Sequence, residues 1–155
     1  MVKQSRLSTA FDGRGAAANP GRWNAAGVAV VYTAQSRSLA SLGVLVHTED
    51  TEDTHVLAAM RWVMIPVDID DKLVEAAQQL AADWHQLPAP QSTREFGNRW
   101  ILEARSVALR VPSIVVEGEF NYLLNPQHPD FVRLQFGDPL PFSFDPRLIG
   151  RGKTV

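Results

Sequence analysis

The segment GRWNAAGVAVVYTAQSRSLASLGVLVH, residues 21–47, contains the strongest structural signals in the chain. It opens with a turn, because Gly21 follows a proline and tolerates a positive φ. The run of β-branched residues between 27 and 33 predicts a buried strand. Apolar residues then recur at intervals of three and four, which is typical of a helix with one buried face, and Ser36 or Ser38 is a suitable N-cap. The segment therefore predicts a turn, a strand and a helix in that order.

Gly43 falls in the interior of this predicted helix. Glycine at such a position costs about 1 kcal/mol relative to alanine, because its backbone loses more conformational freedom on folding. Packing alone would not select it, so position 43 requires another explanation.

Length and composition predict one domain, residues 1–155, with 150–155 as a tail. The 155 residues are 45% hydrophobic and 21% charged, which is ordinary for a globular domain. A formal net charge of −2 without a Lys/Arg tract predicts no nucleic-acid binding. The absence of cysteine excludes disulfides, zinc–thiolate sites and a thiol nucleophile. No apolar run approaches the ~18 residues of a membrane span and no signal peptide is evident, so we expect a cytoplasmic protein without a membrane partner.

Apolar patterns predict the remaining elements of an α+β chain. They are a long strand over residues 55–67, a helix over 72–82, a helix opening at 92–95 with 96, 100, 104 and 107 as its buried stripe, a strand over 113–116, a polar-rimmed turn over 121–129, a strand over 131–136 and an edge strand over 141–145. No Gly-x-Gly-x-x-Gly follows a strand, which argues against a Rossmann dinucleotide site. Four carboxylates in residues 49–53 lack the spacing of a calcium loop, so we expect a solvated turn and no metal site.

Six short motifs, in order along the chain, carry a resemblance to a known family. They are Gly21-Arg22-Trp23-Asn24, Val30-Val31-Tyr32, Ser38-Leu39-Ala40, Val44-Leu45-Val46-His47, Val111-Pro112-Ser113 and Asn121-Tyr122-Leu123-Leu124-Asn125-Pro126. Together they resemble the RES domain, named for an Arg, a Glu and a Ser, which contains toxins of toxin–antitoxin pairs that destroy cellular NAD. The similarity spans residues 11–136.

The resemblance implies an ADP-ribosyltransferase-like fold, in which two small β-sheets surround an NAD cleft with flanking helices. NAD is then a substrate, and no cofactor is expected. Arg22 would hold a phosphate or a ribose oxygen, with Trp23 beside it in the binding site, and Tyr32 would stack on the nicotinamide ring. Ser113 and Asn121 would position the ribose or the nicotinamide amide. Without the resemblance, Ser113 would be interpreted as a capping hydroxyl, because no nucleophile-elbow motif surrounds it.

Gly43 departs from the family pattern, which has Glu before Val-Leu-Val-His. The reaction implied is cleavage of the nicotinamide–ribose bond, with water or phosphate as acceptor, and a carboxylate would stabilise its oxocarbenium-like transition state. We therefore expect weak or undetectable turnover. The explanations are an inactivating substitution, selected or introduced, and a natural relic that still binds NAD or a partner. Takeover by Glu49 or Glu52 is disfavoured by helical geometry, and misalignment by the flanking matches.

The resemblance also implies partners. Toxins of this family are neutralised by a small helix-turn-helix antitoxin that covers the active site. A chain without the carboxylate could still act as a binding module for such an antitoxin. A homodimer is expected, because dimers are the commonest soluble assembly.

Overall fold

The computed structural model describes residues 1–47, 57 and 59–149. Within these ranges the chain forms three small sheets with short helices around them. The strands are β1 Val2–Lys3, β2 Val31–Ala34, β3 Trp62–Met64, β4 Val67–Asp68, β5 Val74–Ala76, β6 Ala108–Pro112, β7 Phe120–Leu124, β8 Gln135–Phe136 and β9 Leu140–Phe142. The helices are α1 Arg14–Ala18, α2 Arg37–Val46, α3 Gln91–Leu102 and α4 Pro146–Ile149, with 3₁₀ helices at Gln4–Thr9, Asp71–Leu73 and Pro129–Arg133. The α+β class and the small sheets are confirmed.

The four-stranded sheet has the order β2-β7-β6-β5, and only β5 and β6 run parallel. β2 is therefore an edge strand, and β7 is central. Tyr32 pairs with Leu123, so their side chains share one side of the sheet, called the first face. Thr33 pairs with Tyr122, and these side chains share the opposite side, called the second face.

Two apolar clusters cover the two faces of this sheet. On the first face, α3 packs through Trp100 and Ile101 against strand residues of β6 and β7. The cluster contains Trp23, Val30, Trp100, Ile101, Leu109, Val111 and Leu123. The second face buries Val31, Leu73, Val107, Ala108, Leu124 and Leu134. Burial on both faces fixes the register of the sheet, since a slip by one residue would exchange the two sets of side chains.

The three-stranded sheet has the order β1-β3-β9, and a third cluster packs against it. Its buried members are Leu57, Trp62 and Phe144, and Val44 and Leu45 of α2 contact the cluster. Helix α2 thus packs against this cluster, while its N-terminus follows directly from β2. The predicted edge strand at 141–145 is confirmed as β9, although it begins and ends earlier.

The predicted helix at 72–82 is wrong. A 3₁₀ turn, capped by the Asp70 side chain, leads instead into β5. Residues 74–76 pair in parallel with β6, and at Gln79 the backbone has φ 54°, which no α-helix tolerates. Sheet pairing to a distant part of the chain has outweighed the local helical period.

Three other predicted elements are also wrong in place or type. Residues 113–116, predicted as a strand, form a turn. The strand in this region is β6, which ends just before them at Pro112 and whose alternate residues enter the core. The predicted turn at 121–129 contains β7, which is paired on both edges. Most of the predicted strand at 131–136 is a 3₁₀ helix that His128 caps, with only β8 extended.

Elsewhere the predictions differ mainly in extent. The strand predicted at 27–33 is β2, shifted toward its end, and the helix opening at 92–95 is α3, which ends before Ala104 at φ 44°. The strand predicted at 55–67 is wrong in its first part, where Leu57 and Ala59 are helical; β3 covers three of its later residues, and β4 begins at its last residue. Residues 49–53 and 150–155 lie outside the described residues.

Candidate active site

The cleft between the sheets is a cavity of about 490 Å³, within the range of small-molecule sites. One wall is the edge strand β2 and the start of α2, and the other is the segment from Met64 to Ile69. Residues from both faces of the sheet contribute, so the cavity wraps around the edge of β2. Its aromatic lining comprises Phe11, Tyr32 and Tyr122, and its polar lining comprises Thr33, Gln35, Ser36, Arg37, Asp68 and Asp71.

Tyr32 lines this cleft, and its hydroxyl is enclosed. The side chain is 39% exposed. The hydroxyl donates to Oδ1 of Asn24 (2.8 Å) and accepts from the backbone N–H of Trp23 (3.0 Å). Burial of this hydroxyl raises the pKa of Tyr32 to about 12, against smaller opposing effects from the Trp23 amide and nearby arginines. Tyr32 is therefore a neutral phenol at physiological pH, and its ring is the part available to a ligand.

Asn24 holds Tyr32 in place, and the sequence analysis did not single it out. It is fully buried. Its Oδ1 also accepts from the backbone N–H of Gly21 (2.9 Å), and its Nδ2 donates to the carbonyls of Ala16, Ala25 and Val28. One amide side chain thus ties the turn at residues 21–24 to β2. Its presence in the Gly-Arg-Trp-Asn motif was the available signal.

Arg22 binds backbone in this structure. Its Nη1 donates to the carbonyl of Trp84 (2.6 Å) and its Nη2 to that of Gln86 (2.9 Å). Desolvation lowers the pKa of Arg22, and Arg94 lowers it further, whereas Tyr32 raises it. The guanidinium remains charged, since an arginine does not lose its proton in proteins. Arg22 therefore lies near Tyr32 but anchors the 84–86 connector, outside the cavity lining.

Trp23 belongs to the first-face core. Its side chain is 2% exposed and meets the ring of Phe96 edge to face, with ring centroids 6.2 Å apart. The Trp23 carbonyl lies so close to Gly97 that a Cβ there would collide with it. Trp23 contributes to the site through its backbone N–H, which holds the Tyr32 hydroxyl, and its ring does not line the cleft.

Ser113 is buried, and its hydroxyl caps a turn. Its Oγ accepts from the backbone N–H groups of Val115 and Val116, both at 3.1 Å. Its own backbone N–H donates to the carbonyl of Glu119 (2.9 Å). This geometry matches the capping role expected from the residues alone, and Ser113 does not line the cavity.

Asn121 lies on β7, paired with Ala34 on one side and Val111 on the other. By strand alternation its side chain shares the first face with Tyr32. The structure thus places Asn121 and Tyr32 on the same side of the sheet, whereas the cavity lining includes the next residue, Tyr122.

Position 43 lies on the cleft side of α2. Ala40 lines the cavity, and Gly43 and His47 follow it at helical intervals of three and four, within an arc of ~60°. Among the described residues, no atom would lie within 4 Å of a Cβ at position 43. The Nδ1 of His47 donates to the carbonyl of Gly43 (2.6 Å), because a carbonyl can only accept. A side chain at position 43 would therefore begin in open space among the described residues, on the same arc of α2 as Ala40.

The charged groups in the cavity lining are few. Arg37 supplies a cation at the start of α2, and Asp68 and Asp71 supply carboxylates on the opposite wall. All three side chains are exposed. Among the residues that the structure describes, no cluster of three or more His, Cys, Asp or Glu side chains could hold a metal ion.

The RES domain family matches residues 2–145, so the chain belongs to this family. It is 37% identical to Toxin Res of Yersinia enterocolitica, with 96% of each chain covered. It is also 34% identical to the Prs ADP-ribosylating toxin of Sphingobium sp., with 90% of this chain and 86% of that protein covered. These relatives agree with the resemblance carried by the sequence motifs.

The fold is also similar to a chain of the crystal structure of the M. tuberculosis MbcT–MbcA toxin–antitoxin complex. The TM-score is 0.65 at 17% identity, and the match covers 91% of this chain and 80% of that one. At this identity the likeness shows the fold alone. Across the described ranges, every helix is too short or too polar to cross a bilayer.

Proposed function

We propose that the chain is a RES-type toxin whose cleft binds NAD and whose reaction is cleavage of the nicotinamide–ribose bond. The observation that carries the proposal is that Tyr32 lines a cleft between two sheets, and that α2, the helix that contains position 43, lines the same cleft through Ala40. The Tyr32 ring offers a flat apolar surface for nicotinamide, and it is fixed by hydrogen bonds at its far end. Membership of a family whose relatives are toxins supports the proposal.

The chemistry requires negative charge near the ribose. As the bond to nicotinamide lengthens, positive charge grows on the sugar, and a fixed carboxylate lowers the energy of that state. Glycine at position 43 offers no charge, so the cleft binds NAD better than it turns it over. The open space at position 43 supports this interpretation, because among the described residues no atom lies within 4 Å of a Cβ placed there.

The test is NAD consumption by the chain and by Gly43→Glu, at equal concentration and with both shown to be folded. We expect the Glu variant to be faster by ~10²–10³, the usual effect of one preorganised electrostatic group. Gly43→Gln is the matched control, since it has the same size without the charge. Equal rates for Glu and Gln variants would refute the role given to position 43. Absence of both NAD binding and NAD consumption in every variant would refute the proposed function.

The acceptor of the ADP-ribosyl group is water, phosphate or a protein. One relative is an ADP-ribosylating toxin, which favours testing a protein acceptor as well. NAD labelled in the adenine ring separates the cases in the Gly43→Glu variant. Label in free ADP-ribose indicates water, label in its phosphorylated form indicates phosphate, and label retained by protein indicates transfer.

A second candidate is a binding module without catalysis. The similarity in fold to a chain from a toxin–antitoxin complex favours it, together with glycine at position 43. Under this hypothesis the chain acts in the cytoplasm as a homodimer and binds a helix-turn-helix antitoxin over the cleft. Competition separates the two functions, because an antitoxin seated on the cleft would block NAD binding.

A further inference from the structure

Both tyrosines of the chain line the same cavity. The sequence contains only Tyr32 and Tyr122. Because Tyr122 pairs with Thr33, its side chain lies on the second face, whereas Tyr32 lies on the first. The cavity therefore has an aromatic ring on each side of the edge strand β2.

The surroundings of Tyr122 suit a flat, uncharged ring. Apolar residues of the second-face cluster line the cavity beside it, including Val31, Val67 and Val74. The backbone carbonyl of Tyr122 accepts a hydrogen bond from the Thr33 hydroxyl (2.9 Å), which adds a side-chain link to the strand pairing. The Tyr122 hydroxyl has no hydrogen-bond partner within the described part of the chain. Its ring is thus positioned by the sheet, and no side-chain hydrogen bond commits it elsewhere.

The guanidinium of the neighbouring Arg110 does not stack on the Tyr122 ring. Arg110 pairs directly with Tyr122 across β6 and β7. Its guanidinium carbon lies 4.8 Å from the centroid of the Phe120 ring, so it stacks there instead. The Tyr122 ring is left to whatever enters the cavity.

A dinucleotide has two bases joined by a pyrophosphate. The cavity lining contains three aromatic rings and one arginine, and the third ring, Phe11, already packs on Phe136 with ring centroids 4.1 Å apart, which leaves the two tyrosines for the bases. We propose that Tyr122 holds the adenine base of NAD, at the opposite end of the cavity from the nicotinamide on Tyr32. Arg37, which lines the same cavity, is the cation available to the pyrophosphate. The inference rests on the proposed function, since it names the subsite for the other half of the same substrate.

The two half-molecules of NAD test the proposal separately. Nicotinamide mononucleotide lacks adenine, and ADP lacks nicotinamide, so calorimetry with each probe reports one subsite. Tyr122→Leu is expected to weaken ADP binding by roughly 5- to 100-fold, the effect of losing one base–aromatic stack, and to leave nicotinamide mononucleotide unchanged. Tyr32→Leu is expected to do the reverse. Tyr122→Phe keeps the ring and is the matched control, expected to bind ADP like the unaltered chain.

The outcomes are distinguishable. If NAD binds but Tyr122→Leu weakens both probes equally, or neither, the adenine subsite is overturned while the proposed function stands. If the unaltered chain and Gly43→Glu bind neither NAD nor ADP, both proposals fail. Thermal unfolding of each variant shows whether it is folded. Should Tyr122→Leu not fold, Tyr122→Thr, which also removes the ring and suits a strand, replaces it. Weakened ADP binding by folded Tyr122→Thr with nicotinamide mononucleotide unaffected supports the subsite, and unaltered ADP binding overturns it.

Discussion

Replacing Asn24 by alanine is expected to loosen the site and the fold together. The buried amide joins the Tyr32 hydroxyl to four backbone groups, those of Gly21, Ala16, Ala25 and Val28. Alanine would leave all of these groups without their partner in a region that excludes water. The Tyr32 ring would then lose the anchor that fixes it at the cleft.

The magnitude follows from the five contacts. A neutral buried hydrogen bond contributes about 1 kcal/mol net, and orphaned groups cost about 1–3 kcal/mol each. Because one amide shares two hydrogens among three carbonyls, we expect Asn24→Ala to lower the free energy of unfolding by about 4 kcal/mol. Asn98→Ala is the matched control. Its side-chain oxygen accepts only from the backbone N–H of Ala25, so about 1 kcal/mol is expected.

Urea denaturation measures the free energy of unfolding of four proteins in a double-mutant cycle: the unaltered chain, Asn24→Ala, Tyr32→Phe and the double variant. Tyr32→Phe removes the hydroxyl that Asn24 accepts from, so the two substitutions should couple by about 1 kcal/mol. NAD affinity, measured on folded protein, should fall in Asn24→Ala although Asn24 does not line the cavity. Strict additivity of Asn24→Ala and Tyr32→Phe would refute the reasoning, as would a loss in Asn24→Ala no larger than that in Asn98→Ala.

Two further predictions concern glycine and pH. Gly97→Ala should lower the free energy of unfolding, measured in urea, by about 3 kcal/mol, because its Cβ would collide with the Trp23 carbonyl. Gly43→Ala should raise it by about 0.5–1 kcal/mol, because its Cβ enters open space in a helix. The reverse order of stabilities would contradict the packing described. The raised pKa of Tyr32, about 12 in the fold, means that the folded state retains the proton more tightly than the unfolded state. The resulting stability is complete below pH 10 and is lost as the pH rises toward 12. Because Tyr32 is 39% exposed, this pH-dependent stabilisation is limited to about 1 kcal/mol. The free energy of unfolding of Tyr32→Phe should therefore change less between pH 9 and 12 than that of the unaltered chain. Parallel pH profiles of the two proteins would refute this.

The sequence predicted the parts of the fold that local chemistry determines. Helix α2 begins after Ser36, whose Oγ accepts from the backbone N–H of Leu39 (3.0 Å), and it continues through Gly43. An N-cap and a 3.6-residue period are properties of neighbouring residues, so they can be recognised without tertiary information. The edge position of β9 followed in the same way from Pro141, which cannot donate to a ladder.

The errors lie where distant pairing decides. Residues 74–76 belong to the segment 72–82, whose apolar residues have a helical period. They pair instead with the edge of β6, and these hydrogen bonds outweigh a propensity difference of under 1 kcal/mol per residue. In the same way β7 follows a polar turn and contains Asn121, yet it is the central strand of its sheet. Neither partner strand is evident from the residues of the segment itself.

The site shows the same division. The motif residues place Tyr32 at the cleft, and the other predicted contacts at Arg22, Trp23 and Ser113 bind backbone or fill the core in this structure. A sequence motif indicates which positions are important for the fold or the site. It does not distinguish a residue that would contact a ligand from a residue that holds such a residue in place. Tyr122 and Asn24 both belong to motifs named in the sequence analysis. Only the register of β2 and β7 places Tyr122 on the second face, and only the buried hydrogen-bond network shows that Asn24 holds the Tyr32 hydroxyl.

Position 43 links these observations. If a residue there were needed for the fold, its side chain would have neighbours, but a Cβ at this position meets nothing within 4 Å in the part of the chain that the structure describes. The cluster that packs α2 uses Val44 and Leu45 instead, and Ser36 caps its start. Under the proposed function, a glutamate at position 43 would contribute charge to the cleft and little packing to the core, so a glycine there would remove the charge at the cost of about 1 kcal/mol of helix propensity. On this proposal the fold, the Tyr32 anchor and the cleft do not depend on the residue at position 43, so Gly43→Glu should raise turnover without any compensating change.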